Sequence, residues 1–356
     1  MQPFWPRKSP HFLECRRGVR AAQLPNIVCV GLSGGADSLA LTAALVAEGH
    51  DVIAICIDHG LQAGSREQAE HAAAQARAWG ARAEVISIDV DGENTEAAAR
   101  RARYGTFALT EKRILADLGV PVTAKGAGET PRVGKKEGEG PAVGDKEEPR
   151  GEKGEDEILG EGRMPFAVGH TADDQAETLI LSAMRGKVSG MAPSVEIEGA
   201  WVVRPLLQVR RADTEAACEE LGVEPWQDPH NEDEGFRRVA VRKRVLPLLS
   251  EIAGGDVTGA LAQAADDVVA DEGELEASIS NDCAELAALA EPRRRRAIAG
   301  WLREHGVEVT REVLGGIGKL CTDWHGQGGV AVRVPGARRR LEVVRVGGKL
   351  ALLSGH

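Results

Sequence analysis

The sequence predicts an α/β protein with a parallel, doubly wound sheet, followed by a mainly helical C-terminal region. Three observations carry that expectation. Short apolar runs alternate with longer helical patterns over residues 27–203, the order that builds a parallel sheet with helices on both faces. The first run stops abruptly in Ser33-Gly34-Gly35-Ala36-Asp37-Ser38, a strand-to-helix junction. Beyond about residue 233 helical periodicity continues with no strands between.

Taken in order, residues 1–12 read as a leader. Residues 14–23, with Arg16, Arg17 and Arg20, form a short basic helix. A buried strand spans 27–32, and a helix opens at Asp37 with Leu39, Leu41 and Leu45 on its apolar side. Strands follow over 52–57 and 83–88, separated by a helix over 67–79, and a long helix runs over about 95–118. The pattern then fails. Residues 124–163 are glycine, proline, lysine and glutamate with almost no large apolar side chain, a composition that cannot bury enough surface to order itself. It reads as a disordered insertion, a solvated tether rather than a lid. A fourth strand over 164–169, a helix over 173–184, a short strand over 200–203 and a helix over 210–221 complete the domain, set at 24–232. The remainder, 233–356, carries helices over 236–252, 259–290 and 293–305, and a tail over 329–353 that suggests a small β element.

Composition narrows the function. The apolar share of 42% supports a sizeable core, and the aromatic share of 3% makes that core aliphatic. Six cysteines with no Cys-x-x-Cys spacing argue against a zinc knuckle, an iron–sulfur ligand set or a disulfide framework. No apolar stretch reaches membrane-spanning length, and the N-terminus lacks the apolar core of a signal peptide, so a cytoplasmic protein is expected. A net charge of -11 argues against indiscriminate coating of nucleic acid. The arginines are nonetheless bunched, at 16–20, 237–244, 293–296 and 338–340.

The junction at 33–38 carries the sharpest chemistry. Adjacent glycines permit positive φ and let a ligand approach the backbone. Beyond them, open N–H groups at a helix start suit a phosphate, with Ser33 and Ser38 adding hydroxyls. Asp37 is a carboxylate in an anion site, which makes sense if a divalent cation lies between it and the phosphates; the plainer account is a tight turn with Asp37 as a cap. No Gly-Lys-Ser or Gly-Lys-Thr occurs, so this is not a Walker A loop, and the third glycine of the dinucleotide fingerprint is missing.

In an open parallel sheet the ligand lies outside the carboxyl ends of the strands. Two further clusters fall there. Asp58-His59-Gly60-Leu61 follows the second strand. Gly169-His170-Thr171-Ala172-Asp173-Asp174-Gln175-Ala176-Glu177 follows the fourth. Asp173, Asp174 and Glu177 repel one another unless a cation is shared or one is protonated. Ordinary acid bias at a helix start accounts for two of the three. His59 and His170 are each equally a satisfied polar residue at a strand end. On the long helix, Glu96, Arg100 and Arg103 share a face beside Tyr104; a salt-bridge ladder is the plain account and a phosphate clamp the functional one. Phe236, Arg238 and Arg242 share a face that either meets a polyanion or is simply solvated.

The junction resembles the pyrophosphate-binding loop of the N-type ATP pyrophosphatases, the PP-loop superfamily. The full order of motifs is more specific: Ser-Gly-Gly-x-Asp-Ser, Asp-His-Gly-Leu, Glu-x3-Arg-x2-Arg-Tyr, His-x2-Asp-Asp-Gln-Ala-Glu-Thr, Arg-Pro-Leu-Leu at 204–207, Trp-x-Asp-Pro-x-Asn and Phe-x-Arg-x3-Arg. Together they resemble the tRNA(Ile)-lysidine synthetase family over about residues 20–250, and Trp324-His325-Gly326-Gln327-Gly328 resembles its short C-terminal form. Val239, where that family usually has asparagine, and the 124–163 insertion depart from it.

The resemblance implies an adenine nucleotide alpha hydrolase-like fold and a ligase. It would use ATP with Mg²⁺ to adenylate the wobble cytidine of tRNA(Ile) with a CAU anticodon, then let free lysine displace AMP. It assigns ATP to Ser33, Gly34, Gly35, Ala36, Asp37, Ser38, Asp58 and His59. It assigns the metal to Asp37, Asp173 and Asp174, and catalysis to these acids with Arg100, Arg103 and His170. His170 is also one candidate base for the attacking lysine. The tRNA falls to the C-terminal region, with Arg238 and Arg242. Another PP-loop tRNA-modifying enzyme, a small-molecule adenylating enzyme and a non-catalytic nucleotide-binding module stand as rivals; the thiolating rivals want paired cysteines that this chain lacks.

Overall fold

Alternate residues of the first strand face opposite ways, and both sets are apolar. Val28 and Val30 join one core, Ile27 and Cys29 the other. A strand buried on both faces belongs inside a sheet covered by helices on each side. A computed structural model shows that arrangement for residues 5–6, 8–58, 60, 64–88, 96–117, 163–275, 278–334 and 341–354. It divides into two compact units, Met1–Asp266 and Asp267–His356.

In the first unit, α1 (Pro10–Ala21) precedes β1 (Ile27–Gly31), α2 (Ala36–Ala47), β2 (Asp51–Asp58), α3 (Ser65–Trp79), β3 (Arg82–Ser87) and α4 (Glu96–Asp117). Then come β4 (Phe166–Ala167), α5 (Ala172–Ala183), the hairpin β5 (Ser194–Ile197) and β6 (Ala200–Val203), and α6 (Arg211–Leu221). The sheet order is β3-β2-β1-β4-β6-β5, parallel throughout except for the β5–β6 hairpin at the edge. The expected doubly wound parallel sheet is present. The sequence missed the antiparallel β5, whose four residues show no clean alternation.

Three expectations need correction. The leader read over 1–12 does not extend to residue 12: the basic helix already begins at Pro10, Phe12, Cys15 and Val19 are buried in the core, and Arg16 and Arg20 both pair with Glu48. The fourth strand is two residues long, because Pro165 lacks an N–H and the chain turns at Gly169. Its ladder is extended only by Cys29 N–H to the Pro165 carbonyl and Val168 N–H to the Val203 carbonyl. The helices after 233 do not start a separate body; through Asp266 they group with the sheet. The reason is local: Val241 and Leu246 pack on Ala176 of α5.

That run is α7 (Arg237–Ala240), a π turn (Val241–Val245) and α8 (Leu246–Ala253), where one continuous helix was expected. Pro247 cannot donate to the carbonyl four residues back, and the ladder slips to the wider repeat just before it. Next, α9 (Thr258–Glu274) carries the chain to the second unit. Among the described residues no single helix is long and apolar enough to cross a membrane. Of the 124–163 insertion only Arg163 lies within the described residues; it pairs with buried Glu111 at 3.1 Å and with Glu196 at 3.0 Å.

The second unit packs α10 (Cys283–Ala288), α11 (Glu291–Glu304) and α12 (Arg311–Thr322) on a three-stranded antiparallel sheet. Its strands are β7 (Val330–Val332), β8 (Leu341–Val346) and β9 (Lys349–Ser354), the small β element the tail suggested. Ile298, Leu302, Ile317, Leu320, Val343 and Leu350 fill the core. Asp282 caps α10 through the amides of Ala284 and Glu285, and Thr310 caps α12 through that of Val313.

Candidate active site

Between β1 and α2 the backbone turns at Gly34, with φ of +86°, a conformation that side chains resist. The Gly34 carbonyl accepts from the Trp226 amide at 2.9 Å. Ser38 closes the loop: its hydroxyl donates to the Gly35 carbonyl at 2.9 Å and accepts from the Ser33 amide at 3.2 Å. The Ser33 hydroxyl lies 3.1 Å from that of Ser38. The result is a rigid cradle opening onto the start of α2, where no side chain caps the helix. Its N–H groups and dipole are set for an anion.

Gly169, at the end of β4, fixes this cradle from the neighbouring strand. A Cβ there would come within 2.8 Å of the Asp37 carbonyl carbon and 3.0 Å of the Ser38 nitrogen. Only glycine lets the two turns meet. That contact brings α5, with Asp173, Asp174 and Glu177, beside the loop.

The acids meet arginines. Arg211, at the start of α6, lies 3.1 Å from Asp174, 3.1 Å from Glu177 and 3.7 Å from Asp37. Arg242 holds fully buried Glu177 at 2.7 Å, and Arg238 lies 3.3 Å from Asp174. Arg210 grips both oxygens of Asp173, at 3.1 and 3.3 Å, and the Arg211 amide donates to the same carboxylate at 2.8 Å. Asp174 also forms a capping box, accepting from the amide and hydroxyl of Thr171. Burial alone would raise its pKa, but Arg211, His170 and the Thr171 amide hold it down at about 2. Asp37 differs. Burial pushes its carboxyl up to about 6, against the pull of Arg211 and the hydroxyl donated by Thr214.

This distribution tests the expected metal set. Asp173 and Asp174 have their oxygens taken by guanidinium and amide donors, and among the described residues no three His, Cys, Asp or Glu side chains form a metal-binding group. Asp37 alone is an under-compensated hard oxygen donor beside a phosphate cradle, which fits a Mg²⁺ ion sharing its shell with phosphate oxygens.

His170 follows Gly169. Its Nδ1 accepts from Arg204 Nε at 3.1 Å; a guanidinium has no lone pair to give, so Nδ1 is the acceptor and Nε2 carries the hydrogen. Burial lowers its pKa to about 4. It therefore offers an N–H donor and is a poor base. Arg204 is itself buried and anchored on the Ala192 carbonyl at 2.6 Å. Arg100 is exposed on α4, 5.2 Å from the ring centre of buried Tyr104, and its charge reaches both His170 and Arg204. Arg103 lies one turn further on α4, also exposed.

The PP-loop domain family matches residues 14–127 and 156–249, and the TilS substrate binding domain matches residues 282–350. A tRNA(Ile)-lysidine synthase of Corynebacterium glutamicum is 43% identical, over 98% of this chain and 96% of its own length. One from Corynebacterium diphtheriae is also 43% identical, over 99% of this chain and the whole of its own. The chain belongs to the tRNA(Ile)-lysidine synthase family.

Against the family's motifs, the structure gathers the 33–38 loop, Asp37, Asp174 and His170 around Arg211 and Gly169. It pairs Arg238 and Arg242 with Asp174, Thr178 and Glu177, where the sequence left their face either meeting a polyanion or solvated. The buried acids of α5 need those charges more than the surface does. Asp58 accepts from the Ser65 hydroxyl at 2.6 Å and the Gly60 amide at 3.0 Å, bonds that hold its carboxyl below the usual range while ordering the turn after β2. His59 lies outside the described residues. Sequence reasoning missed Arg210, Arg211 and Thr214. A signal was there, since two arginines opening a helix oppose the helix dipole and call for local acids.

Proposed function

We propose that this chain adenylates the wobble cytidine of tRNA(Ile) carrying a CAU anticodon and couples free lysine to it. The observation that carries the reading is the phosphate cradle of Ser33–Ser38 backed by Asp37, on a chain whose full length matches tRNA(Ile)-lysidine synthases. The C2 oxygen of the cytidine attacks the α-phosphate of ATP, and pyrophosphate leaves into the cradle. The lysine ε-amine then attacks C2, loses a proton, and AMP departs.

Each residue's part follows from its surroundings. The loop amides and serine hydroxyls hold the β- and γ-phosphates of ATP. When bound, Mg²⁺ held through Asp37 would screen phosphate charge. His170 donates from Nε2 to an oxygen that gains charge, and Arg100 and Arg103, exposed on α4, add positive charge. Residues 282–350 hold thirteen Lys and Arg against eight Asp and Glu, in a chain of net charge -11, which favours this segment as the part that meets tRNA. The reading carries with it a cytoplasmic location, where tRNA, ATP and free lysine coexist.

The thiolating alternative has no reactive thiol. All six cysteines are buried, and burial pushes the thiols of Cys15, Cys56, Cys218 and Cys321 up to about 12. The test is incubation of the purified chain with ATP, labelled lysine and CAU-anticodon tRNA(Ile). Label entering tRNA with stoichiometric AMP supports the reading; ADP release, or AMP formation indifferent to lysine, rejects it.

A further inference from the structure

The second unit holds an aromatic side chain where folding does not call for one. Trp324 follows α12, is 41% exposed, and belongs to none of the core residues of its unit. It is nonetheless held in place on one face. The Arg345 guanidinium lies 5.6 Å from its ring centre, and Arg345 is itself fixed by donating to the Leu320 carbonyl at 3.1 Å and the Cys321 carbonyl at 3.5 Å. The loop beyond is tied down as well. The Gln327 side chain donates to the Asp323 carbonyl at 2.9 Å and accepts from the His325 amide at 2.8 Å, and His325 Nδ1 lies 3.1 Å from the same Asp323 carbonyl. Gly326, at φ +89°, makes the turn possible.

A tryptophan that only filled space would be buried, and a chance surface tryptophan would sit on a loose loop. This one has a cation behind it, a rigid loop beside it and part of its indole open to solvent. Other apolar side chains among the described residues of the unit are exposed too, but Trp324 is the aromatic one. Flat, open aromatic faces of this kind take nucleobases, because every base has a π-face, and a guanidinium behind the ring adds cation–π attraction. The occupant follows from charge: the surrounding segment, 282–350, carries an excess of Lys and Arg within an acidic chain, which suits a polyanion.

We infer that Trp324, backed by Arg345, is a stacking platform for one unpaired base of the substrate RNA. The inference rests on the tRNA reading above. It separates two tasks: basic side chains supply salt-dependent attraction to phosphates, and Trp324 fixes the register of the bound RNA at one base.

The experiment uses the full chain and CAU-anticodon tRNA(Ile) with 2-aminopurine placed in turn at unpaired positions. Wild type and Trp324→Phe are expected to quench the probe at one position, and Trp324→Ala to leave it bright. Trp324→Ala should also weaken tRNA affinity by roughly tenfold or more, the loss of one base–aromatic stack. Its thermal transition and its maximal rate at saturating tRNA should stay those of wild type, with the loss in KM for tRNA. Arg345→Gln should fall between. Wild-type affinity and no quenching difference in a folded Trp324→Ala variant would overturn the platform and leave the lysidine reading standing. A wild-type chain that bound no tRNA would overturn both. A Trp324→Ala chain with a lowered thermal transition that Trp324→Phe restores, together with unchanged quenching, would make the residue structural and reject the inference.

Discussion

Asp174 shows how one side chain ties stability to the site. Its carboxylate caps α5 and neutralises Arg211, so its pKa is depressed to about 2 in the folded chain. An acid depressed on folding adds stability above its unfolded value and loses it as pH falls through the folded one. The contribution should therefore be complete above about pH 4 and vanish between about pH 4 and 2, amounting to roughly 2 kcal/mol. Urea unfolding at stepped pH checks this, and Asp174→Asn should flatten that part of the curve. Gly169 makes a different kind of demand. In Gly169→Ala the new methyl meets the backbone of Asp37 rather than a flexible side-chain tip, so the turn itself must move. The expected result is a loss of about 1–3 kcal/mol together with a raised KM for ATP, read by denaturant titration and by pyrophosphate release.

At the level of elements, the sequence showed the strands and the loop and hid the partnerships. The 33–38 junction was legible because glycines, serines and an acid in that order have few structural uses. The acids of α5 were legible as a cluster, but their neutralisation was not. It comes from Arg210 and Arg211 of α6 and Arg238 and Arg242 of the run from α7 into the π turn, far away in sequence. The acids by themselves invite a three-acid metal set, and the arginines paired with them were not visible in the sequence pattern. The two-residue β4 and the antiparallel β5 were illegible for a plainer reason, that neither is long enough to display a period. The start of α1 was placed too late, because Pro10 and the residues before it read as a leader. Packing decides: Phe12 is 1% exposed between α1 and the rest of the core. Phe12→Ala should cost about 3–5 kcal/mol, more than any arginine-to-alanine change on the exposed side of α1, when both are measured by chemical unfolding.

For the whole molecule, charge is divided along the chain. The excess of Lys and Arg in 282–350 contrasts with a net charge of -11 overall. If that segment meets the RNA, tRNA affinity should fall steeply as salt rises from about 50 to 200 mM, while thermal stability of the chain changes little. Filter binding across that range checks it, and a flat response would place tRNA recognition elsewhere. A last consequence concerns Trp226, whose main-chain amide is committed to the carbonyl of Gly34. The turn at 33–38 thus leans on a stretch of chain just past α6, the same helix whose first residues answer the acids. Loss of that one bond would free the carbonyl of Gly34 and with it the shape of the cradle, without touching the acids or their arginines.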